Sequence, residues 1–371
     1  MKILPLSFLL LFFSSFHTLQ AALQFNENRQ FTIVQFTDFH LGTDVSDDIK
    51  TFDLQRKIIN AVQPDLVVVT GDALARSGDI DEGWFQNFWN GFTAPMVEAG
   101  VPYMYTLGNH DNEGDLNKVE IVQLDETNPM SLRANAEGIP NTTNFYVPVF
   151  SSRNESELAA VMWSFDSGTL SCDGVSGGYG CIERDTIEWY DQESENIREE
   201  YGTNVHHLAF FHIPIPEYLE VYNDLPFYGE YNEYVWCPTV NTGFFEAVKR
   251  NGDISAMFVG HDHVNDFGGV YDDVELVYGR KSGYHAYGDK KGAKVIVLQE
   301  NFDEQGNLNV TRSHYIMEEN GDIIRTEPLR TRNGPRQDVC LPLGASATSI
   351  FENTERNMLV FLLLCLYVVL A

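Results

Sequence analysis

The sequence predicts a mixed α/β layer fold built around a largely parallel sheet system. Apolar strand-like runs recur along the chain, and several are continuous rather than alternating, which is typical of strands covered on both faces. Helix-like stretches alternate with the first of these runs, whereas strands crowd together later. Residues 30–335 contain no repeat and no low-complexity linker. We therefore expect one folded domain over residues 22–335.

The individual elements follow from the same runs. The predicted strands are Phe31–Phe36, Leu66–Thr70, Val101–Leu107, Leu158–Phe165, Leu208–Phe211, Ile254–Val259, Val274–Tyr278 and Val295–Leu298. Ser46, Asp47 and Asp48 have side chains that cap a helix N-terminus, so a first helix begins there and runs to Ala61. The other predicted helices are Asp81–Ala99, Leu116–Glu126, Arg184–Glu200 and Thr242–Arg250.

The charge of the chain limits its partners. Of the 371 residues, 54 are acidic and 24 are basic, which gives a formal net charge of −30. A surface this negative repels nucleic-acid backbones and anionic lipids, so we expect no nucleic-acid-binding surface. The simplest use of the acidity is solubility outside the cell.

Both ends of the chain are apolar and predict passage through the secretory pathway. Lys2, an apolar run and small residues near Ala21 are typical of a signal peptide over residues 1–21. Residues 336–346 are predicted to form a stalk. Small residues, a polar spacer and a 14-residue apolar tail follow, which favours a GPI-attachment signal over residues 347–371. The alternative is a tail-type membrane anchor. Either one predicts a protein that is extracellular or held at the cell surface.

Secretion makes the cysteines and the glycosylation motifs interpretable. Cys172 and Cys181 flank a glycine-rich loop, so we expect a local disulfide there and a longer Cys237–Cys340 disulfide. N-glycans are expected at the three Asn-x-Ser/Thr motifs, which begin at Asn141, Asn154 and Asn309.

Five of the predicted strands end in polar clusters. In chain order the clusters are Asp38-Phe39-His40, Gly71-Asp72, Gly108-Asn109-His110-Asp111, His212 and Gly260-His261-Asp262-His263. Ligands of α/β sheets bind outside the carboxyl ends of the strands, so strands that lie side by side would bring these clusters to one place. Each motif alone has an ordinary interpretation as a turn, a cap or a core histidine. Five in succession, each directly after a strand, indicate one site.

The donors in these clusters predict a metal centre. Carboxylates, imidazoles and an amide oxygen, without a thiolate, suit Zn, Mn or Fe. Seven donors are too many for one tetrahedral ion and suit two divalent ions that share a carboxylate. The donors are Asp38, His40, Asp72, Asn109, His212, His261 and His263.

These motifs resemble the signature of the calcineurin-like metallophosphoesterases over residues 30–300. "FFHIPIPEY" from Phe210 and "GHDHVNDFGG" from Gly260 are similar to the small, single-domain, purple-acid-phosphatase-like branch. The resemblance implies a four-layer α/β/β/α sandwich of two mixed sheets. It also implies that Asp72 bridges the two ions. Asp38, His40 and His263 complete the first site, and Asn109, His212 and His261 complete the second.

One position departs from the family pattern. Purple acid phosphatases have a tyrosine three residues after the bridging aspartate, where this sequence has Ala75. Without the phenolate, the resemblance implies a colourless enzyme with divalent ions.

The resemblance implies a metal-dependent phosphatase that hydrolyses phosphate monoesters by in-line attack of a metal-bridging hydroxide. The ions would also hold the anionic substrate on a negative protein. His110 is expected to face the substrate and protonate the leaving group, with Asp111 orienting it. Arg280 and His285 are candidate substrate contacts, although their loop has an equally simple interpretation as solvated surface. A phosphodiesterase acting on nucleotides or lipid headgroups, and a catalytically dead binding protein, are the alternatives.

Overall fold

Two mixed β-sheets lie face to face in the computed structural model, and helices cover the outer face of each sheet. The described residues are 22–75, 81–133, 136–174, 177–326 and 328–342. The predicted signal peptide and C-terminal anchor lie outside these ranges.

Fifteen strands and six α-helices make up the described chain. The strands are β1 (Leu23–Gln24), β2 (Gln30–Phe36), β3 (Leu66–Thr70), β4 (Tyr103–Thr106), β5 (Glu137–Gly138), β6 (Phe145–Ser151), β7 (Asn154–Ser164), β8 (His206–Phe210), β9 (Phe227–Tyr228), β10 (Ile254–Val259), β11 (Gly268–Tyr271), β12 (Val274–Tyr278), β13 (Gly292–Phe302), β14 (Leu308–Glu318) and β15 (Ile323–Arg325). The helices are α1 (Val45–Val62), α2 (Trp84–Ala99), α3 (Lys118–Glu126), α4 (Arg184–Tyr201), α5 (Glu217–Asp224) and α6 (Phe244–Asn251).

The two sheets contain both parallel and antiparallel neighbouring strands. The first sheet runs β1-β6-β7-β8-β10-β12-β11-β9, with β5 beside β6, and the second runs β15-β14-β13-β2-β3-β4. Strands β2, β3 and β4 are parallel to one another, as are β7, β8, β10 and β12. The remaining neighbours are antiparallel apart from β1 and β6. The expectation of a largely parallel system was therefore wrong, and the expectation of two mixed sheets is confirmed.

Three apolar clusters separate the four layers. Phe31, Leu66, Phe210 and Phe258 belong to the cluster between the two sheets. A second cluster joins α1 and α2 to the outer face of the second sheet, and a third joins α4, α5 and α6 to the first sheet. Continuous apolar strands such as β3 are buried on both faces for this reason. The α/β/β/α order of layers is confirmed.

All five predicted helices differ from the observed ones by one to three residues at an end. Helix α1 begins at Val45, because the side chain of Asp44, rather than Ser46, accepts hydrogen bonds from the free N–H groups of Ser46 and Asp47. Helix α2 begins at Trp84 instead of Asp81, after Gly83 in the left-handed region. The predicted strands β3, β10 and β12 have the expected bounds.

Both expected disulfides are present, Cys172–Cys181 and Cys237–Cys340. The second ties the C-terminal segment to the domain. Gln337 and Leu341 are buried, so the described part of the predicted stalk lies against the domain. Among the described residues, no helix is both long and apolar enough to cross a membrane.

Candidate metal centre

Five parallel strands bring the polar clusters together at one edge of the two sheets. In the second sheet Phe36 is level with Val69, and Thr70 is level with Thr106. In the first sheet Phe258 is level with Phe210. Strands β2, β3 and β4 therefore end near the same height in one sheet, as β8 and β10 do in the other, and each of the five is followed by one of the predicted motifs. The buried strand ends place all seven predicted donors in one cluster.

The first group of donors is Asp38, His40 and His263, whose ligand atoms all lie within 4.8 Å of one another. His40 Nε2 is 2.9 Å from His263 Nε2. His263 Nε2 is 3.7 Å from Asp38 Oδ1. All three residues are buried.

The second group is Asp72, His212 and His261, whose ligand atoms also lie within 4.8 Å of one another. His212 Nε2 lies 3.3 Å from His261 Nδ1 and 3.1 Å from the amide oxygen of Asn109. The other nitrogen of His212 bonds the carbonyl oxygen of Thr70 at 2.7 Å, which fixes the direction of the ring.

Asp72 lies between the two groups. Its Oδ2 is 3.5 Å from His40 Nε2 in the first group and 3.2 Å from His212 Nε2 in the second. Its other oxygen accepts a hydrogen bond from the backbone N–H of His110 at 2.9 Å. One carboxylate oxygen therefore faces both groups, as a bridging ligand requires.

The backbone around these donors is strained. Asp38, His40, Asp72 and His261 have φ values of 55°, 52°, 51° and 78°, a region that residues other than glycine seldom adopt. Strain of this kind persists only where the surrounding structure enforces it, and it concentrates at functional sites. The turns re-aim side chains at the point where each strand ends.

Two glycines allow the close packing behind the donors. A Cβ atom at Gly260 would lie 1.9 Å from Thr37 Oγ1, and one at Gly108 would lie 2.2 Å from Asp72 Oδ1. No side chain fits in either place. Gly260 thereby lets the backbone N–H of His261 reach the Asp38 carboxylate, at 3.1 Å from Oδ2.

Burial keeps most of the imidazoles neutral. It lowers the pKa of His40 to about 3 and holds the pKa values of His261 and His263 well below 6.5. Burial also lowers the pKa of His212, but the nearby Asp72 carboxylate outweighs it and raises that pKa above its ordinary value. A neutral imidazole is the form that binds a metal ion.

The charge balance of the cluster fits divalent ions. Burial raises the pKa of Asp38 to about 6, which shows how costly an uncompensated carboxylate is at this position. In the described part of the chain, the ion-pair partners of Asp38 and Asp72 are histidines rather than lysine or arginine. Two neutral ring nitrogens 2.9 Å apart share at most one proton. Divalent cations held by these residues would satisfy the lone pairs and offset the charge of both carboxylates.

His110 lies beside this cluster, but its partner differs from the predicted one. The carboxylate of Asp111 accepts hydrogen bonds from the backbone N–H groups of Asp72, Leu74 and Gly108, at 2.9, 3.1 and 2.7 Å. His110 Nδ1 instead lies 2.8 Å from Glu113 Oε1. Residues Asp111–Glu113 form a 3₁₀ turn, which places residues three apart on the same face. The expectation that Asp111 orients His110 is therefore corrected, because Glu113 is the carboxylate beside the His110 ring. The spacing of three residues between His110 and Glu113 could have indicated this partner.

The two predicted substrate contacts on the loop after β12 have different surroundings. Arg280 is buried, and its guanidinium pairs with Asp266 and with Glu318. Its charge is therefore already compensated, although it lines a cavity of about 350 Å³ that also borders His263. His285 is half-buried on the same loop, and its backbone carbonyl accepts a hydrogen bond from Lys281.

Asp262, between the two histidines of the last motif, has its hydrogen-bond partners outside the donor groups. It is buried and accepts hydrogen bonds from the Tyr278 hydroxyl and the backbone N–H of Trp236. It therefore supports the strand end instead of joining the cluster.

Two facing mixed sheets with this donor set at their strand ends define a metallophosphoesterase-type protein. The sequence model of the family described as "Calcineurin-like phosphoesterase" matches residues 31–265, well over half of the chain. The chain belongs to the calcineurin-like phosphoesterase family. Its relatives are purple-acid-phosphatase-like, in agreement with the single-domain branch that the sequence resembles.

Several known proteins are similar to the chain. "Probable inactive purple acid phosphatase 28" of Arabidopsis thaliana is 31% identical over 72% of this chain and 74% of its own length. "Probable inactive purple acid phosphatase 29" of the same plant is 28% identical over 78% and 82%. A dimetal phosphatase from Danio rerio has the same fold, with a TM-score of 0.50 and 11% identity over 76% of this chain and 98% of its own.

Proposed function

We propose that this chain is a secreted or surface-anchored phosphatase that hydrolyses phosphate monoesters with two divalent metal ions. The observation that carries the proposal is the arrangement of all seven predicted donors in two groups that meet at Asp72. Membership in the family supports hydrolysis of phosphate esters in general.

Each ion would have four protein ligands. Asp38, His40, Asp72 and His263 would hold the first, and Asp72, Asn109, His212 and His261 would hold the second. When bound, such ions offset the negative charge of a phosphate and lower the pKa of bound water to near neutral. They thus provide local positive charge on a chain whose formal net charge is −30.

His110 would give a proton to the departing alcohol. One of its ring nitrogens lies within 4.8 Å of the ligand atoms of His40 and Asp72. Burial lowers its pKa, but Asp72 and Glu113 outweigh burial and raise that pKa above 6.5, which favours the proton-donating form. The side chain is 40% exposed, so substrate can reach it.

The names of the Arabidopsis relatives support a different candidate, a catalytically dead member of the family. An inactive member of a metal-dependent hydrolase family has ordinarily lost some of its metal ligands. This chain has all seven donors together with His110. A phosphodiesterase uses the same donors, and we keep it as the second active candidate.

The disulfides support passage through an oxidising compartment. Asn141, Asn154 and Asn309 are all exposed, as acceptors of N-glycans must be. The proposal therefore includes glycosylation, and attachment to the membrane through the C-terminal segment.

An assay with two chromogenic esters tests the proposal. Purified protein loaded with Mn²⁺ or Zn²⁺ should hydrolyse p-nitrophenyl phosphate and leave bis-p-nitrophenyl phosphate nearly untouched. Turnover of the bis-ester alone would favour the phosphodiesterase. Absence of turnover with both esters, in a protein that binds two ions, would favour the inactive candidate.

A further inference from the structure

A row of aromatic rings begins at the second group of donors. We call Tyr179, Trp236 and Tyr234 the aromatic row. The ring centroid of Tyr179 lies 4.4 Å from that of His261, with the rings at 86°. Trp236 follows 6.4 Å from Tyr179, and Tyr234 follows 6.2 Å from Trp236. All three residues are half-buried, so each keeps part of its surface exposed.

Both disulfides anchor this row. Tyr179 lies in the glycine-rich loop closed by Cys172 and Cys181, and its backbone carbonyl accepts a hydrogen bond from the N–H of Cys172. Trp236 immediately precedes Cys237, which is bonded to Cys340. The backbone N–H of Trp236 also reaches the carboxylate of Asp262, between the two histidines of the last motif. The rings are therefore fixed relative to the donors.

A fourth ring lies over the first group of donors. Tyr287 stacks on His263 with centroids 4.3 Å apart and an interplanar angle of 27°. Its hydroxyl donates a hydrogen bond of 2.7 Å to Glu233. Tyr287 nevertheless remains 52% exposed. Each of the two ligand histidines in the last motif thus has a tyrosine ring against it.

A packing role alone does not account for these rings. A tyrosine that only supports a histidine gains most when it is buried, as Tyr278 is in the same region. Tyr179, Trp236 and Tyr287 instead remain partly exposed, and Tyr179 and Tyr287 lie directly against the donor histidines His261 and His263. Rigid, partly exposed aromatic rings beside a reaction centre are suited to stacking on a planar group of a ligand.

We propose that Tyr179, backed by Trp236, and Tyr287 are specificity-determining residues that select phosphate monoesters whose alcohol has an aromatic ring. The inference rests on the proposed phosphatase function and narrows its substrate class. The rings would contact the departing alcohol while its phosphate is held at the metal ions that the two groups of donors would bind.

Two esters of equal size test this selection. Benzyl phosphate and cyclohexylmethyl phosphate both release primary alcohols, but only the first has a planar ring. Tyr179→Leu and Tyr287→Leu should each lower kcat/KM for benzyl phosphate by about 5-fold, mainly through KM. Activity on cyclohexylmethyl phosphate should change by less than about 2-fold. The Tyr179→Phe and Tyr287→Phe variants keep the ring and should therefore keep the preference for benzyl phosphate over cyclohexylmethyl phosphate. Tyr201→Leu, at the exposed end of α4 and outside the site, should match wild type.

Equal losses on both esters, or no loss on either, would overturn the selection. Measurements of phosphonate binding distinguish failure of this inference from failure of the proposed phosphatase function. If the wild type hydrolyses neither ester, the phosphatase proposal fails, and calorimetric titration with benzylphosphonate and cyclohexylmethylphosphonate decides the inference. Tighter binding of benzylphosphonate that both Leu variants abolish supports it, and equal binding of the two phosphonates overturns it.

Discussion

The carboxylate of Asp111 accepts a hydrogen bond from the backbone N–H of Asp72, with 2.9 Å between Oδ2 and N. Asp72 in turn accepts a hydrogen bond from the backbone N–H of His110, also at 2.9 Å. The two loops after β3 and β4 are therefore held together by a pair of adjacent carboxylates. One of these carboxylates faces the donors, and the other lies behind it.

Replacement of Asp111 should loosen the bridging carboxylate. Asp111→Asn exchanges one acceptor oxygen for an N–H₂ group, and three buried backbone N–H groups then compete for a single oxygen. We expect the free energy of unfolding to fall by about 2 kcal/mol and metal affinity to fall with it. Chemical denaturation of the metal-free protein and calorimetric metal titration measure the two effects. Glu304→Gln, at an exposed position, is the control, and a metal affinity equal to wild type would contradict this role.

His110 should matter most for esters with poor leaving groups. His110→Asn is expected to lower kcat about 10²- to 10⁴-fold on n-butyl phosphate, because the departing alkoxide needs a proton. The loss on p-nitrophenyl phosphate should be far smaller, since nitrophenolate leaves without one. Glu113→Gln should also lower kcat for both esters, but by less than His110→Asn does. Equal losses on the two esters would show that His110 acts in another way.

The pH dependence of stability should include a contribution from Asp253. Burial raises the pKa of this carboxyl, but His207, Ser194 and Tyr190 outweigh burial and lower the pKa from 3.8 to about 2. Its stabilisation, about 2 kcal/mol, is present above pH 3.8 and is lost as pH falls through 2. Asp253→Asn should therefore cost that amount at pH 6 and about half of it at pH 3. Denaturant unfolding at both pH values, with Glu199→Gln as the exposed control, checks this, and a cost independent of pH would contradict it.

The protein should be colourless. Ala75 is buried at the position where purple acid phosphatases have a metal-binding tyrosine, and its methyl group cannot donate phenolate charge to Fe(III). A visible spectrum of the purified protein, before and after addition of ferric iron, should lack a charge-transfer band. A purple band would indicate that another tyrosine has taken that place.

The sequence predicted the parts of the fold and site that depend on local pattern. Strands β3 and β10 are short, mostly apolar and followed by polar motifs, so their bounds and the donors behind them could be predicted. Strand β14 was missed because its inward-facing positions include Arg312 and His314, so the alternation of buried and exposed positions does not appear as an alternation of apolar and polar residues. Helix α5 was missed because it is only 8 residues long and follows two prolines.

The surroundings of the donors depend on contacts between distant segments, which local patterns do not contain. The hydrogen bond from Asp72 to Asp111 joins residues 39 positions apart, and the bond from His261 to Asp38 joins residues 223 positions apart. The tyrosines beside His261 and His263 come from two other loops. The motifs therefore predicted which donors the structure brings together, whereas the hydrogen-bond partners of Asp111 and the aromatic rings beside His261 and His263 required the fold.

The most direct test of the central claim is the metal content of purified protein, measured by mass spectrometry alongside hydrolysis of p-nitrophenyl phosphate. Wild type should hold about two divalent ions per chain and turn over the ester. Asp72→Asn, which keeps the shape and tolerates the left-handed backbone, should hold at most about one ion and show no turnover. A wild-type protein without metal, or an Asp72→Asn variant that keeps two ions and full activity, would contradict a shared two-metal site at Asp72.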